Sequence, residues 1–285
     1  MDEKGLGGRV QSARQAAGLT QQGLCQKANL SYSTLAKIER GAIKSPSIFT
    51  IQSIAGALET SLDVLLGGNA AVRTNLPKKV SKSGIRFVYF DINGCLVRFF
   101  HQAFTKLAAD IGEQPDVIES VFWHYNDEVC RGTMSLSDFN SVLAEKLHVT
   151  KLDWQKYYLE AVEPIEAMHE LVTWAGNNYH IGLLTNIMPG FVDAMLTKNL
   201  IPNVPYDAVI DSSRVGVIKP EAEIYKIATE KAHVDPNEIL LIDDSRTNVM
   251  AAERLGWHVL WFDDYRPEES AKHIREALEP SSESL

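Results

Sequence analysis

Along the first seventy residues the apolar positions recur at helical spacing, in short bursts. Leu6, Val10, Ala13 and Ala17 share one face, and Gly18 supplies a stop. Thr20 suits an N-cap for a helix over residues 21–27 with Leu24 inward. Asn29 and Leu30 make a tight turn, Ser31 caps a third helix with Leu35 and Ile38 inward, and Gly41 ends it. Ser47 opens a fourth helix bearing Ile48, Ile51, Ile54, Ala55 and Leu58, and residues 62–66 form a short fifth. Two short helices joined by a three- or four-residue turn are the helix-turn-helix plan.

From about residue 85 the pattern changes. Apolar runs at 85–91, 180–185, 208–211, 239–244 and 258–262 are mostly separated by helical patterns. Continuous apolar strands alternating with helices predict a parallel sheet covered on both faces. Chemistry in such sheets lies beyond the carboxyl ends of the strands. Asp91, Thr185, Asp243 and Asp244 all fall there. Residues 98–164, after the first strand, are helical in pattern.

These patterns predict a multidomain chain: an all-α five-helix bundle at 1–68, a linker at 69–84, and an α/β domain at 85–268. A helical insertion, which resemblance to a known family would make a small cap, occupies about 98–164, and a helix with a polar tail occupies 269–285. The linker lies in a Gly-, Asn-, Pro-, Ser- and Lys-rich stretch without periodicity.

Composition narrows the classes. The 285 residues are 45% hydrophobic and 23% charged, as in ordinary globular domains. No run approaches the ~18 apolar residues of a membrane span. The first residues lack the basic-then-apolar order of a secretory signal. The three cysteines, Cys25, Cys95 and Cys130, show neither a CxxC pair nor nearby histidine pairs, which argues against disulfide or zinc scaffolds. A cytoplasmic protein without a membrane partner is expected. The net charge of −9 hides an asymmetry, because residues 1–82 carry +6 and residues 83–285 carry −15. A basic module joined to an acidic domain fits a nucleic-acid partner for the first, although charge alone also fits a solvated surface.

The first segment resembles the Xre/Cro phage-repressor family, with a lambda-repressor-like fold. The carriers are Arg14-Gln15-Ala16-Ala17-Gly18-Leu19-Thr20-Gln21, Leu24, Ala28, Ser31-Tyr32-Ser33-Thr34-Leu35, Ile38-Glu39-Arg40-Gly41, Pro46 and Leu58. Gly23 and Cys25 depart from the family, which has a carboxylate and an alanine there. The resemblance implies binding to double-stranded DNA. Ser31, Tyr32, Ser33, Thr34 and Lys37 would enter the major groove, Thr20 and Gln21 would meet phosphate, and Arg40 and Lys44 would contact the backbone. It also implies a homodimer reading two half-sites.

The strand ends of the second segment resemble the haloacid dehalogenase superfamily of phosphatases and related hydrolases, with a Rossmann-like core. Four motifs occur in family order: Phe90-Asp91-Ile92-Asn93-Gly94-Cys95-Leu96, Leu184-Thr185-Asn186, Lys219-Pro220, and Ile242-Asp243-Asp244-Ser245-Arg246-Thr247-Asn248. Gly132-Thr133-Met134-Ser135, followed by Phe139, is similar to the subgroup near the phosphatase domain of soluble epoxide hydrolase. The resemblance implies a phosphorylated small-molecule ligand or substrate and Mg²⁺ as cofactor. Asp91 would be the nucleophile, and Asp91, Asn93 (through its carbonyl), Asp243 and Asp244 would hold the metal. Thr185, Asn186 and Lys219 would hold phosphoryl oxygens.

One departure matters. Phosphatases of the superfamily carry a second aspartate two residues after the nucleophile, and Asn93 stands there. An amide cannot exchange a proton, which puts a general acid–base contribution of ~10²–10⁴ at risk. Two expectations follow: a regulator that senses or slowly hydrolyses a phosphorylated ligand, or an active Mg²⁺-dependent phosphatase with DNA binding secondary.

Overall fold

The computed structural model describes residues 6–43, 46–58 and 78–279. The chain divides into two compact units, Met1–Leu76 and Pro77–Leu285.

In the first unit, α1 (Leu6–Ala16), α2 (Gln21–Ala28), α3 (Tyr32–Glu39) and α4 (Ile48–Ala57) form a small bundle. The helix starts follow the capping residues read from the sequence. Thr20 accepts from Gly23 N, Ser31 from Thr34 N and Ser47 from Thr50 N, each satisfying an otherwise orphaned amide. Val10, Leu24, Ala28, Leu35, Ile38, Ile51 and Ile54 close the core. A charged group joins them inside: Arg14 Nε lies 2.7 Å from Glu39 Oε1, and both residues are buried. The expected fifth helix, at 62–66, lies outside the described residues, as do the Lys44 contact and linker residues 69–77.

The second unit opens with β1 (Phe87–Phe90), followed by a helical insertion of α5 (His101–Ile111), α6 (Pro115–Cys130), α7 (Leu136–Lys146) and α8 (Trp154–Ala161). Then come α9 (Glu166–Asn178), β2 (His180–Thr185), α10 (Phe191–Thr197), β3 (Ala208–Asp211), α11 (Ser212–Val215) and α12 (Ala222–Ala232). The unit ends with β4 (Ile239–Asp243), α13 (Arg246–Arg254), β5 (His258–Trp261) and α14 (Pro267–Leu278).

The five strands form one parallel sheet in the order β3-β2-β1-β4-β5. Alternate strand residues serve opposite faces. Val88, Phe90, Leu240 and Ile242 pack in the core shared with the insertion, whereas Phe87, Tyr89, Ile239 and Leu241 pack against α12 and its surroundings. This explains why these strands are apolar throughout rather than alternating. Gly182 in β2 is required by close approach, since a Cβ there would lie 2.6 Å from the Tyr89 ring and 2.7 Å from Ala208 O.

The insertion is a cap built on aromatic residues. Phe104, Phe122 and Trp154 pack with ring centroids 4.7–5.2 Å apart, Phe104 stacked on Trp154 and edge-on to Phe122, and all three are buried. It meets the core at Gly132, which follows α6 at φ +71° and where a Cβ would lie 2.4 Å from the carbonyl oxygen of Ser213. Arg131 and Glu221 add an ion pair across the same junction. No described helix is long and apolar enough to cross a membrane.

Candidate functional site

The parallel sheet brings its strand ends to one rim. Asp91 follows β1, Thr185 ends β2, and Asp243 ends β4 with Asp244 immediately after. Asp91, Asp243 and Asp244 each offer a carboxylate oxygen, and these oxygens all lie within 4.8 Å of one another. Lys219, from the loop before α12, places Nζ 2.9 Å from Asp91 Oδ1 and 2.6 Å from Asp243 Oδ2. Thr185 Oγ1 is buried at the same rim without a hydrogen-bond partner among the described residues.

The two neighbouring aspartates face different surroundings. Both oxygens of Asp243 are occupied: Oδ1 accepts from Ser245 N at 2.8 Å and Asn248 Nδ2 at 3.0 Å, and Oδ2 accepts from Lys219. The Asp244 carboxylate instead sits against Gly94, where a Cβ would lie 2.1 Å from its Oδ2. Gly94 has φ +81°, so both its backbone and its missing side chain are needed. Trp261 Nε1 donates to Asp244 O at 2.6 Å and fixes the main chain there.

Electrostatics follow from crowding three acids around one ammonium. Burial pushes the Asp91 carboxyl up to about 6; Lys219 opposes the rise and Asp243 adds to it. Burial, then Asp91 and Asp243, push Asp244 up to about 7. Burial disfavours the Lys219 charge, but Asp243 and Asp91 outweigh it and hold the ammonium well above its usual range. A hard-oxygen cluster with excess negative charge is the donor set that suits a magnesium-type cation. The orphaned Thr185 hydroxyl awaits an acceptor or donor from a ligand, since leaving it unpaired costs about 1–3 kcal/mol.

Two motif residues are otherwise engaged. The Asn186 amide clamps the Lys219 backbone, accepting from Lys219 N at 2.7 Å and donating to Lys219 O at 2.8 Å. Asn93 Oδ1 accepts from the hydroxyl of Tyr158, a buried residue of α8 in the cap. No local signal in the sequence points to this contact, which spans 65 positions. Nor does one reveal the Asn248–Asp243 bond, although Asn248 lies within the fourth motif.

In the first unit, Ser31, Tyr32, Ser33, Lys37 and Arg40 are exposed on or beside α3, with Tyr32 54% exposed, and Thr34 is half-buried. Ser31 and Thr34 hydroxyls bond each other at 2.8 Å. Arg40 Nε donates to Ala36 O at 3.1 Å. Thr20 is exposed as the α2 cap, whereas Gln21 is half-buried and donates to Glu39 Oε2 at 2.7 Å. The Gln21 side chain is therefore tied into the Arg14–Glu39 pair.

Comparison with known proteins agrees with both units. Residues 10–65 match the helix-turn-helix family, and residues 90–262 match the haloacid dehalogenase-like hydrolase family. The D-ribitol-5-phosphate phosphatase of Bacteroides thetaiotaomicron is 25% identical over 205 residues, covering 66% of this chain and 94% of that protein. The immunity repressor protein of Bacillus phage phi105 is 36% identical over 77 residues, covering 27% of this chain and 53% of the repressor. Acyl-CoA dehydrogenase family member 10 of Mus musculus is 24% identical over 151 residues, 53% of this chain, and the match spans 13% of that longer protein. A solved haloacid dehalogenase family enzyme from Bacteroides thetaiotaomicron, in complex with magnesium and inorganic phosphate, superposes with a TM-score of 0.56 at 22% identity. That match covers 64% of this chain and 95% of the enzyme, and it shares the fold. With a helix-turn-helix segment ahead of a cap-bearing parallel sheet, the chain belongs to the haloacid dehalogenase-like hydrolases.

Proposed function

We propose that the chain is a DNA-binding regulator whose second unit takes up a phosphorylated small molecule with Mg²⁺ and holds it or processes it slowly. The observation that carries this reading is Asn93, which occupies the acid–base position and whose Oδ1 is held by Tyr158. Around it, the carboxylate–lysine–threonine rim is otherwise complete. Asp91 and Asp244, with the main-chain carbonyl of Asn93, would hold the cation. When bound, the cation offsets the repulsion between a phosphate dianion and the carboxylates.

Asp91 is the nucleophile in this reading, its free oxygen reaching phosphorus while Lys219 stays beside Oδ1. Lys219 and Thr185 take phosphoryl oxygens. Asp243 orients Lys219 rather than binding metal, because its own oxygens are satisfied by protein donors. Asn186 shapes the Lys219 loop. In the first unit, Tyr32, Ser33 and Lys37 enter the major groove, and Thr20 and Arg40 meet the DNA backbone, as two copies on paired half-sites.

The test combines two measurements on the full chain. Duplex binding, selected from random DNA, should weaken at least tenfold in the Tyr32→Ala/Lys37→Ala double variant. Mg²⁺-dependent binding of inorganic phosphate should vanish in Asp244→Ala. Retained phosphate binding without Asp244, or duplex binding indifferent to α3, would overturn the corresponding half. The second reading, an active phosphatase, is favoured by the orphaned Thr185 hydroxyl, and rapid Mg²⁺-dependent turnover of a phosphate ester would select it.

A further inference from the structure

Tyr158 carries the cap to the rim. In α8, Trp154, Tyr158 and Ala161 are buried at helical spacing, so they share one inward face. The start of the helix is fixed from α7, since Trp154 N donates to Asn140 Oδ1 at 2.9 Å. The Tyr158 ring packs edge-on to Phe191 at 4.7 Å and beside Phe100 at 5.0 Å between centroids. Its hydroxyl therefore has little freedom, and two acceptors lie near it: Asn93 Oδ1 and, at 3.8 Å, Met195 Sδ. A thioether sulfur is a weak acceptor, so the hydroxyl proton goes to the amide oxygen.

That bond decides which end of the amide faces the rim. Asn93 is half-buried two residues after Asp91, and its Nδ2 has no acceptor among the described residues. An amide is planar and its two ends point apart, so with Oδ1 turned to the cap the N–H donors turn away from it. The rings beside Asn93 leave a cavity of about 20 Å³, room for roughly one water-sized group. With the cap seated, an organic substituent finds no space on that side, and the acceptors left for Nδ2 are phosphoryl oxygens. A carboxylate here would set an anion against them, whereas an amide donates to them.

We propose that Tyr158 is a positioning residue that turns the Asn93 amide donor toward the phosphoryl group, so that Asn93 grips the ligand and occupancy of the rim holds the cap shut. This rests on the reading of the rim as a phosphoryl site. The side chain that stands in the proton-exchanging position becomes a third donor to phosphate oxygen, beside Lys219 and Thr185. The coupling runs both ways. If a seated Tyr158 aids phosphate binding, bound phosphate keeps Tyr158 and α8 seated by the same factor. The main-chain carbonyl of Asn93 takes no part in this contact.

The experiment is a double-mutant cycle on the full chain, with inorganic phosphate and Mg²⁺ as probe and affinity read by titration calorimetry. Asn93→Ala keeps the main-chain carbonyl and should weaken phosphate binding about ten- to hundredfold, the loss expected for a hydrogen bond to a charged group. Tyr158→Phe should weaken it about three- to tenfold when Asn93 is present, and not at all in the Asn93→Ala background. A merely structural tyrosine would cost the same in both backgrounds, and that result overturns the proposal. So does affinity kept or gained in Asn93→Ala, which would mean that the carbonyl end faces the ligand. Hydrogen exchange gives an independent reading at saturating phosphate. Adding phosphate to the Mg²⁺-loaded wild type should slow amide exchange in residues 154–161 by about three- to tenfold, the reciprocal of the same coupling. The slowing should disappear in Asn93→Ala. If Tyr158→Phe fails to melt cooperatively, exchange decides alone, and equal slowing in wild type and Asn93→Ala overturns the proposal. If the wild type binds phosphate but the cycle shows no coupling, the proposal falls while the phosphoryl-site reading stands. If the wild type binds no phosphate with Mg²⁺, both fall.

Discussion

Lys219 and Asp243 form a fully buried ion pair, with Nζ 2.6 Å from Oδ2, and the same ammonium reaches Asp91 Oδ1 at 2.9 Å. One cation therefore fixes two carboxylates from different strands. Breaking a buried pair costs about 3–5 kcal/mol because the surviving charges lose their partner. Lys219→Met should lower the melting temperature of the second unit by roughly 6–20 °C for a domain of this size. Calorimetry checks this, and an unchanged melting temperature would show that the pair contributes nothing net.

The raised carboxyls predict a pH dependence. Asp91 and Asp244 move from 3.8 up to about 6 and about 7 in the fold. The folded state thus binds protons more tightly than the unfolded chain does. The stability these groups contribute without metal is complete below about pH 4 and is lost as pH rises through 6 and 7. Mg²⁺ reverses the balance by binding the ionised forms, so its stabilising effect should grow from pH 5.5 to pH 8. Thermal melts with and without Mg²⁺ across that range give the answer, and a flat difference would contradict it.

Gly94→Ala addresses the geometry of the cation site. Its Cβ would enter the space held by Asp244 Oδ2, and its φ of +81° disfavours any L side chain. The expected outcome is Mg²⁺ binding weakened at least about tenfold, from displacement of an anionic ligand. Titration calorimetry measures it. Affinity equal to the wild type would place the cation away from Asp244.

Asn93→Asp restores a group able to exchange a proton. If the amide is what limits hydrolysis, phosphate release should rise about 10²–10⁴-fold. The same change should shorten the lifetime of any phosphoaspartate at Asp91. Release unchanged within a factor of two would assign the bottleneck elsewhere.

In the first unit, Glu39→Ala leaves the Arg14 guanidinium without a counter-charge, holding only the Leu19 carbonyl, and removes the acceptor of Gln21. A loss of about 3 kcal/mol is expected, measured by urea unfolding of the full chain followed at its helical signal. Arg14→Met/Glu39→Leu should recover most of it, since apolar replacement of a buried pair is close to neutral.

Much of this was legible in the sequence because the signals were local. The strands at 180–185 and 208–211 follow the apolar runs, and Thr20, Ser31 and Ser47 cap the helices their side chains suggested. The rim was legible because strand direction alone carries Asp91, Thr185 and Asp243 to one edge. What stayed hidden depends on packing between distant segments. Nothing local tells Asp243 from Asp244, yet one is saturated by protein donors and the other lies against Gly94. Asn186 read as a phosphate contact, while its amide closes a ring with the Lys219 backbone. Tyr158 reaches Asn93 only because the cap folds back over the sheet.

The carbonyl of Ser213 touches the cap where Gly132 has no side chain. Position 132 is therefore a mutational dead end. Even alanine would wedge the helical lid away from its seat on the core. Variants of this chain that keep the lid shut are therefore expected to keep glycine at that codon.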